Sequence, residues 1–276
     1  MKIFITGANG QLGKTFSEKY PKKNLCLATK EKLDVTRQEQ VLGQIERFKP
    51  DMVFHFASLT RGDECAKNPK KAYEINVNGT RNIVEACKKN NIALLFISTN
   101  EIFDGIKKSA YTETDIPNPI TVAGKTKYEA EKIVIENLTK YYIIRTSWLY
   151  SKWANNFLSV VLNTAKKTKR IKLVKDEVSS PTYSLDLALA IKKLISTNKY
   201  GIYHLNNTGK ASRLEFAKKA FEIVGFKDME IIPLKLTDFR RISKPPLYTP
   251  LSNSKAKRLG IQLLDWENAL KRFLVS

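Results

Sequence analysis

Lys2-Ile3-Phe4-Ile5-Thr6-Gly7-Ala8-Asn9-Gly10-Gln11-Leu12-Gly13 stands near the start of the chain and decides how the rest is read. The run from Ile3 to Thr6 is apolar, β-branched and aromatic, as a buried strand would be. It passes without a linker into a glycine-punctuated turn and a stretch of helical period. In such a unit glycine is needed where the backbone turns tightly, where it approaches a pyrophosphate, and where helix and strand pack closely. The N–H groups at the helix start then bind the phosphates. Gly7, Gly10 and Gly13, with Asn9, Gln11 and Leu12 between them, are therefore the expected cradle of a dinucleotide.

Outward from this unit, short apolar runs alternate with helix-period segments. Strands are expected over 2–6, 24–28, 52–58, 92–98 and 141–146, and helices near 11–20, 37–48, 69–90 and 121–139. Right-handed crossovers would wind these into an α/β fold with a Rossmann-like, mostly parallel sheet, ligands binding at the carboxyl ends of its strands. After about Trp148 the pattern becomes irregular. It suggests a helix near 155–168, a strand over 171–174, a helix near 184–196, and elements near 202–205, 212–225 and 229–232. Pro245-Pro246 and Pro250 then interrupt regular structure before a terminal helical stretch. We read 1–150 as an NAD(P)-binding domain and 151–276 as a smaller substrate lobe interleaved with the last Rossmann elements.

The formal charge of +21, from 48 Lys and Arg against 27 Asp and Glu, would attract anions. Its lysine doublets, such as Lys22-Lys23, Lys88-Lys89 and Lys218-Lys219, are dispersed as solvated helix faces would supply them. With no zinc-finger spacing or aromatic RNA-binding signature beside them, nucleic acid is not an expected partner. No stretch approaches the ~20 apolar residues of a membrane span, and no signal-peptide pattern opens the chain, so a cytoplasmic protein is expected, with no membrane partner. Cys26, Cys65 and Cys87 are widely spaced and read as reduced thiols. His55 and His204 lie in apolar runs, so they read as structural, and no metal site is expected.

The end of the second expected strand, Leu27-Ala28-Thr29-Lys30, lacks the acid that in NAD-specific sites bonds the ribose hydroxyl. Lys30 would suit a 2′-phosphate, which tilts the choice between NADPH and NADH toward NADPH. It also reads as one more surface lysine, with Glu31 beside it.

The glycine fingerprint is followed in order by Leu33-Asp34-Val35-Thr36, Lys49-Pro50-Asp51-Met52-Val53, Ala72-Tyr73-Glu74-Ile75-Asn76, Ser98-Thr99 and Phe103-Asp104-Gly105. Asn118-Pro119, Arg145-Thr146-Ser147-Trp148, Asn155-Asn156-Phe157, Ser180-Pro181-Thr182 and Tyr203-His204-Leu205 continue the series. With these motifs the chain resembles the dTDP-4-dehydrorhamnose reductases, a branch of the extended short-chain dehydrogenases. The resemblance implies hydride transfer from NADPH or NADH to the 4-keto group of a nucleotide-linked 6-deoxysugar, in dTDP-rhamnose and polysaccharide biosynthesis, and a homodimer at the level of the family. It implies that Thr99 polarises the carbonyl and that Lys127 holds the nicotinamide ribose. It further places Asp34 and Ala57 near the adenosine half, and Asn100, Trp148 and Asn156 at substrate positions.

The family's Tyr-Gly-Lys-Thr-Lys reads Ala123-Gly124-Lys125-Thr126-Lys127 here, so the proton-donating tyrosine is replaced by a methyl group. The family's Thr-Asp-Tyr becomes Thr99-Asn100-Glu101, and its late Arg-Pro becomes Pro245-Pro246 after Lys244. Impaired or altered reduction is therefore expected, and the alternative is a non-catalytic regulatory protein that binds cofactor or sugar nucleotide on the same fold. Three accounts of Ala123 are open: an engineered knock-out, a natural binder, or another donor such as Tyr111, Tyr128 or water. Tyr128 adjoins Lys127 and so points about 100° away around the helix.

Overall fold

The computed structural model describes residues 1–275. Along the chain run β1 (Ile3–Thr6), α1 (Gln11–Glu18), β2 (Leu25–Ala28), α2 (Gln38–Phe48), β3 (Met52–His55), α3 (Gly62–Lys67), α4 (Pro69–Tyr73), α5 (Gly79–Lys89), β4 (Ala93–Thr99), α6 (Val122–Asn137) and β5 (Tyr141–Thr146). There follow β6 (Leu149–Tyr150), α7 (Phe157–Ala165), β7 (Arg170–Val174), β8 (Val178–Ser179), β9 (Thr182–Tyr183), α8 (Ser184–Ile195), β10 (Gly201–His204), β11 (Ala211–Ser212), α9 (Arg213–Val224), β12 (Glu230–Leu234), α10 (Ser254–Lys257) and α11 (Trp266–Val275).

Six strands form one parallel sheet in the order β10-β5-β4-β3-β1-β2. In register, Ile3 faces both Leu25 of β2 and Met52 of β3. β1 and β3 are buried throughout, because helices cover both faces, and this is why their sequences read as unbroken apolar runs rather than alternating ones. Ile3 and Ile5 enter a core shared with Leu12 and Phe16 of α1 and Leu187 and Ile191 of α8. Phe4 points the other way, toward Val41 and Ile45 of α2, Ile83 of α5 and Val134 of α6. The chain leaves β1 for β2 on one side and returns as β3 on the other. That reversal opens a crevice above the carboxyl end of β1.

The second half contributes β10 and α8 to this layered body; Thr15 of α1 and Ser184 of α8 share a 2.9 Å hydroxyl contact. Its other elements close a smaller core around Tyr150, Phe216 and Trp266, next to the parallel β7–β12 pair.

The strand expected over 52–58 ends at His55, because Phe56 and Ala57 bend back onto Thr6: the Ala57 N–H donates to Thr6 Oγ1 at 3.1 Å. The helix expected near 69–90 is interrupted by a π-helical turn, Glu74–Asn78. Widened turns of this kind re-aim a side chain. Here the side chain is Asn76, which clamps the Ser58-Leu59 loop through the Leu59 N–H at 2.7 Å and its carbonyl at 3.0 Å. No helix among the described residues is long and apolar enough to cross a membrane.

Candidate active site

Gly7 has a φ of 63°, and a Cβ there would lie 2.6 Å from the Ala57 nitrogen; at Gly13 it would lie 2.6 Å from the Gly7 carbonyl oxygen. Strand, turn and helix thus pack with no room for side chains. The Gly10 N–H donates to the Gly7 carbonyl at 2.9 Å, and Gly10 opens α1 with no side-chain cap. The first-turn N–H groups of α1, which have no intrahelical partner, are left for an anion. The turn is braced from beneath. Thr6 Oγ1 meets His55 Nδ1 at 2.7 Å, and His55 Nε2 meets Thr80 Oγ1 at 3.0 Å. Burial, assisted by the Lys127 charge, lowers the His55 pKa to about 3, so this histidine is a neutral brace. His204 is likewise enclosed, with Nδ1 3.1 Å from the Tyr111 carbonyl.

The crevice widens into a cavity of about 480 Å³, with Gly7 and the start of α1 on one side and Thr99, Asn100, Lys127 and Trp148 on the other. Lys127 is 8% exposed, and its Nζ lies 4.4 Å from the centre of the Phe96 ring. Glu131, one turn further along α6, is bound to Arg145 at 2.7 Å, so the ammonium has no salt bridge among the described residues. Burial pulls the Lys127 pKa down to about 8, opposed by Glu131 and Cys65. Thr99 Oγ1 accepts the Glu101 N–H at 3.2 Å, holding the end of β4 to the next turn. The Asn100 amide donates to Thr249 Oγ1 at 2.6 Å and Ser179 Oγ at 3.2 Å, so it joins the two halves of the chain. Trp148 adopts a φ of 41° and stacks on Arg213, whose guanidinium carbon lies 3.5 Å from the ring centre. Ser98 Oγ and Thr146 Oγ1 are buried, have no partner among the described residues, and belong to residues lining the cavity. Orphaned hydroxyls beside a glycine cradle fit a polar ligand that spans the crevice.

The chain matches, over residues 1–276, the family model described as RmlD substrate binding domain. It is 36% identical over 286 residues to the dTDP-4-dehydrorhamnose reductase of Aggregatibacter actinomycetemcomitans, covering 98% of this chain and 97% of that one. The chain belongs to the dTDP-4-dehydrorhamnose reductase family. Among solved structures, the dTDP-4-dehydrorhamnose reductase of Bacillus anthracis in complex with NADP is similar at a TM-score of 0.95 and 37% identity, covering 100% of this chain and 99% of that one. The spore coat polysaccharide biosynthesis protein SpsK of Bacillus subtilis is 32% identical, covering 99% of this chain and 96% of its own.

Not every residue that the sequence nominates for the dTDP-4-dehydrorhamnose reductase site lines the cavity. Asn9 is exposed at the tip of the turn. Ala57 lies under Gly7. Lys30 and Asp34 edge a separate hollow beyond β2. The Asp34 carboxylate accepts from the Thr36 hydroxyl at 2.8 Å and the Thr36 N–H at 3.0 Å, and these bonds hold its pKa below the usual range. Asn156, expected at the substrate, instead caps α7, accepting the Ser159 N–H at 3.1 Å and donating to the Ser151 carbonyl at 2.8 Å. The residue that faces the cavity is its neighbour Asn155.

The two tyrosines considered as substitute donors are both elsewhere. Tyr111 is 4% exposed and its hydroxyl donates to Asp104 at 2.8 Å; Tyr128 packs near Ile102 and Phe103. Ala123 lies in the cavity wall in the first turn of α6, against Cys65 and Ala72. The cavity also holds Glu101, for which the sequence alone suggests no chemistry. No group of side chains suited to a metal ion occurs among the described residues.

Proposed function

We propose that the protein uses NADPH, or less well NADH, to reduce the 4-keto group of a dTDP-linked 6-deoxysugar. The observation that carries this reading is a single cavity in which the glycine turn, Thr99 and Lys127 meet in a chain of this family. When bound, the nicotinamide supplies the hydride. Gly7, Gly10 and Gly13 would hold the pyrophosphate against the start of α1, and Lys127 would bond the nicotinamide ribose as a buried cation. Thr99 would donate to the keto oxygen, where negative charge develops. Lys30 would serve the 2′-phosphate, with Asp34 and Ala57 toward the adenosine. Asn100 and Trp148 would border the sugar, with residues 151–276 as the substrate lobe. The three free cysteines fit a reducing, cytoplasmic compartment, and we extend the family-level expectation of a homodimer to this chain.

The regulatory alternative rests on Ala123 alone, whereas Thr99 and Lys127 are both present in the cavity. The test is loss of NADPH absorbance on adding a dTDP-4-keto-6-deoxysugar, with the product identified by mass. Cofactor binding without consumption would overturn the reductase reading.

A further inference from the structure

Reduction of a ketone adds a hydride to carbon and a proton to oxygen, so the cavity must supply an acid. No tyrosine lines it; its ionisable side chains are Arg61, Glu101 and Lys127. Resting on the reductase reading, we infer that Glu101 is the proton donor, passing its carboxyl proton to the oxygen of the sugar's keto group beside Thr99.

Both side chains come from one short stretch. Glu101 lies in the 3₁₀ turn that follows β4, and its own N–H is tied to Thr99 Oγ1. Its carboxyl is held from the other side. The Thr121 hydroxyl donates to Glu101 Oε2 at 2.9 Å, and Thr121 is the N-cap of α6. The acid therefore stands at the first turn of the helix that carries Ala123 and Lys127, where the alanine methyl leaves space. A Cβ on Gly124 would strike the Glu101 carbonyl, so turn and helix are locked together. Oε1 makes no hydrogen bond among the described residues and is free to face a ligand.

The charges around Glu101 leave it unpaired. Arg213 and Arg241 both turn to Glu177, at 2.9 Å and 3.7 Å, and Glu101 has no ion pair among the described residues. Burial raises its pKa; the Thr121 bond opposes this, Glu177 adds to it, and Arg241 and Arg213 work against it. Lys127 and Arg61 share the cavity, and on the α3 side the Cys65 thiol, pushed up to about 11, is neutral. The anion left after transfer lies at a helix N-terminus and across from two arginines, which stabilise it.

The step balances: the keto carbon gains the hydride of NADPH, its oxygen gains the Glu101 proton, and the carboxylate is reprotonated from water as the alcohol and NADP⁺ leave. Glu101→Gln keeps the shape and can still accept the Thr121 bond, and Glu101→Asp retains an acid on a shorter arm.

We would measure NADPH affinity by fluorescence, turnover of a dTDP-4-keto-6-deoxysugar over a pH series, and the infrared band of the protonated carboxyl in ligand-free protein. Expected are a kcat lower by ~10²–10⁴-fold in the Gln variant with NADPH affinity unchanged, and an intermediate rate for the Asp variant. The wild-type band should titrate above the ordinary glutamate value of about 4.3 and be missing from the Gln variant. A Gln variant as fast as wild type with the same pH profile, or a band titrating at the ordinary value, overturns the proposal and leaves Lys127 or water as donor. A wild-type protein that binds NADPH yet never consumes it defeats the reductase reading itself, and this proposal with it.

Discussion

Replacing Gly13 by alanine puts one methyl group where the structure has no room, and replacing Gly43 by alanine puts the same group where it meets nothing. At Gly13 the new Cβ would lie 2.6 Å from the Gly7 carbonyl oxygen, 2.7 Å from Ala8 Cα and 2.8 Å from the Ala8 carbonyl oxygen. All three are backbone atoms, so no side chain can rotate away and the phosphate turn itself must shift. Overpacking of this kind costs about 1–3 kcal/mol or more, against about 1 kcal/mol gained from alanine's better helix propensity. At Gly43, in the middle of α2 with nothing within 4 Å, only the gain applies. Because the propensity gain is common to both helical sites, the two variants should differ by the overpacking cost, roughly 1–3 kcal/mol in urea unfolding, Gly43→Ala being at least as stable as wild type. Fluorescence titration should show Gly13→Ala binding NADPH about tenfold or more weakly, since a displacement worth about 1.4 kcal/mol at the phosphates suffices for that. If Gly13→Ala were as stable as Gly43→Ala and bound NADPH as tightly as wild type, the close-packed cradle would be a wrong account.

Lys127→Met should raise stability at neutral pH while abolishing turnover. The folded pKa is lowered from 10.5 to about 8, so folding disfavours the ammonium by on the order of 3 kcal/mol. Between about pH 8 and 10.5 the unfolded chain holds this proton and the folded chain does not, so wild-type stability rises with pH there relative to the variant, a slope that urea titrations will read. The same loss of charge should make wild-type turnover fall as pH rises through about 8. Arg145→Met should cost about 3–5 kcal/mol, because Glu131, fully buried and held at 2.7 Å, would lose its counter-ion; a thermal unfolding profile near wild type would contradict it. Lys30→Ala should weaken NADPH binding and leave NADH binding unchanged, and equal effects on the two in calorimetry would remove Lys30 from the 2′-phosphate. Ala123→Tyr should speed Glu101→Gln by at least ~10-fold and add little to the wild type, since each supplies a general acid to the same cavity, the tyrosine one helical turn before Lys127. Steady-state rates of the four proteins would check this.

The parallel sheet was legible because Ile3–Ile5, Met52–Phe54 and Leu94–Phe96 are buried on both faces, which leaves runs too apolar for a surface. The cradle was legible because the constraint at Gly13 is local, its nearest atoms being those of Gly7 and Ala8, whereas Gly7 packs on Phe56 and Ala57 beyond β3. Two-residue ladders such as β6 with β9 and β8 with β11 carry no period, and the six-residue α3 is too short to show one. Which of Asn155 and Asn156 faces the cavity is a one-residue phase, decided by where α7 starts and invisible without it. Glu101 was visible only as a departure from a motif. Its meaning depends on Thr121, twenty positions on, and on Glu177, Arg213 and Arg241, which the fold brings to it from the second half of the chain.

Asn100 lies between Thr99 and Glu101; its Oδ1 accepts from the Thr99 hydroxyl at 3.3 Å, while its amide NH2 is committed to Ser179 and Thr249, 79 and 149 positions away. Any drift of β8 or of the strand-like segment at 249 is thus transmitted to the spot where the keto oxygen would lie. With residues 151–276 as the proposed substrate lobe, a gene duplicate that remodels that lobe would alter its chemistry in the same stroke. On that proposal selection for a new substrate and selection for rate would be coupled, and successive substitutions on that side should show strong epistasis with residues 99–101.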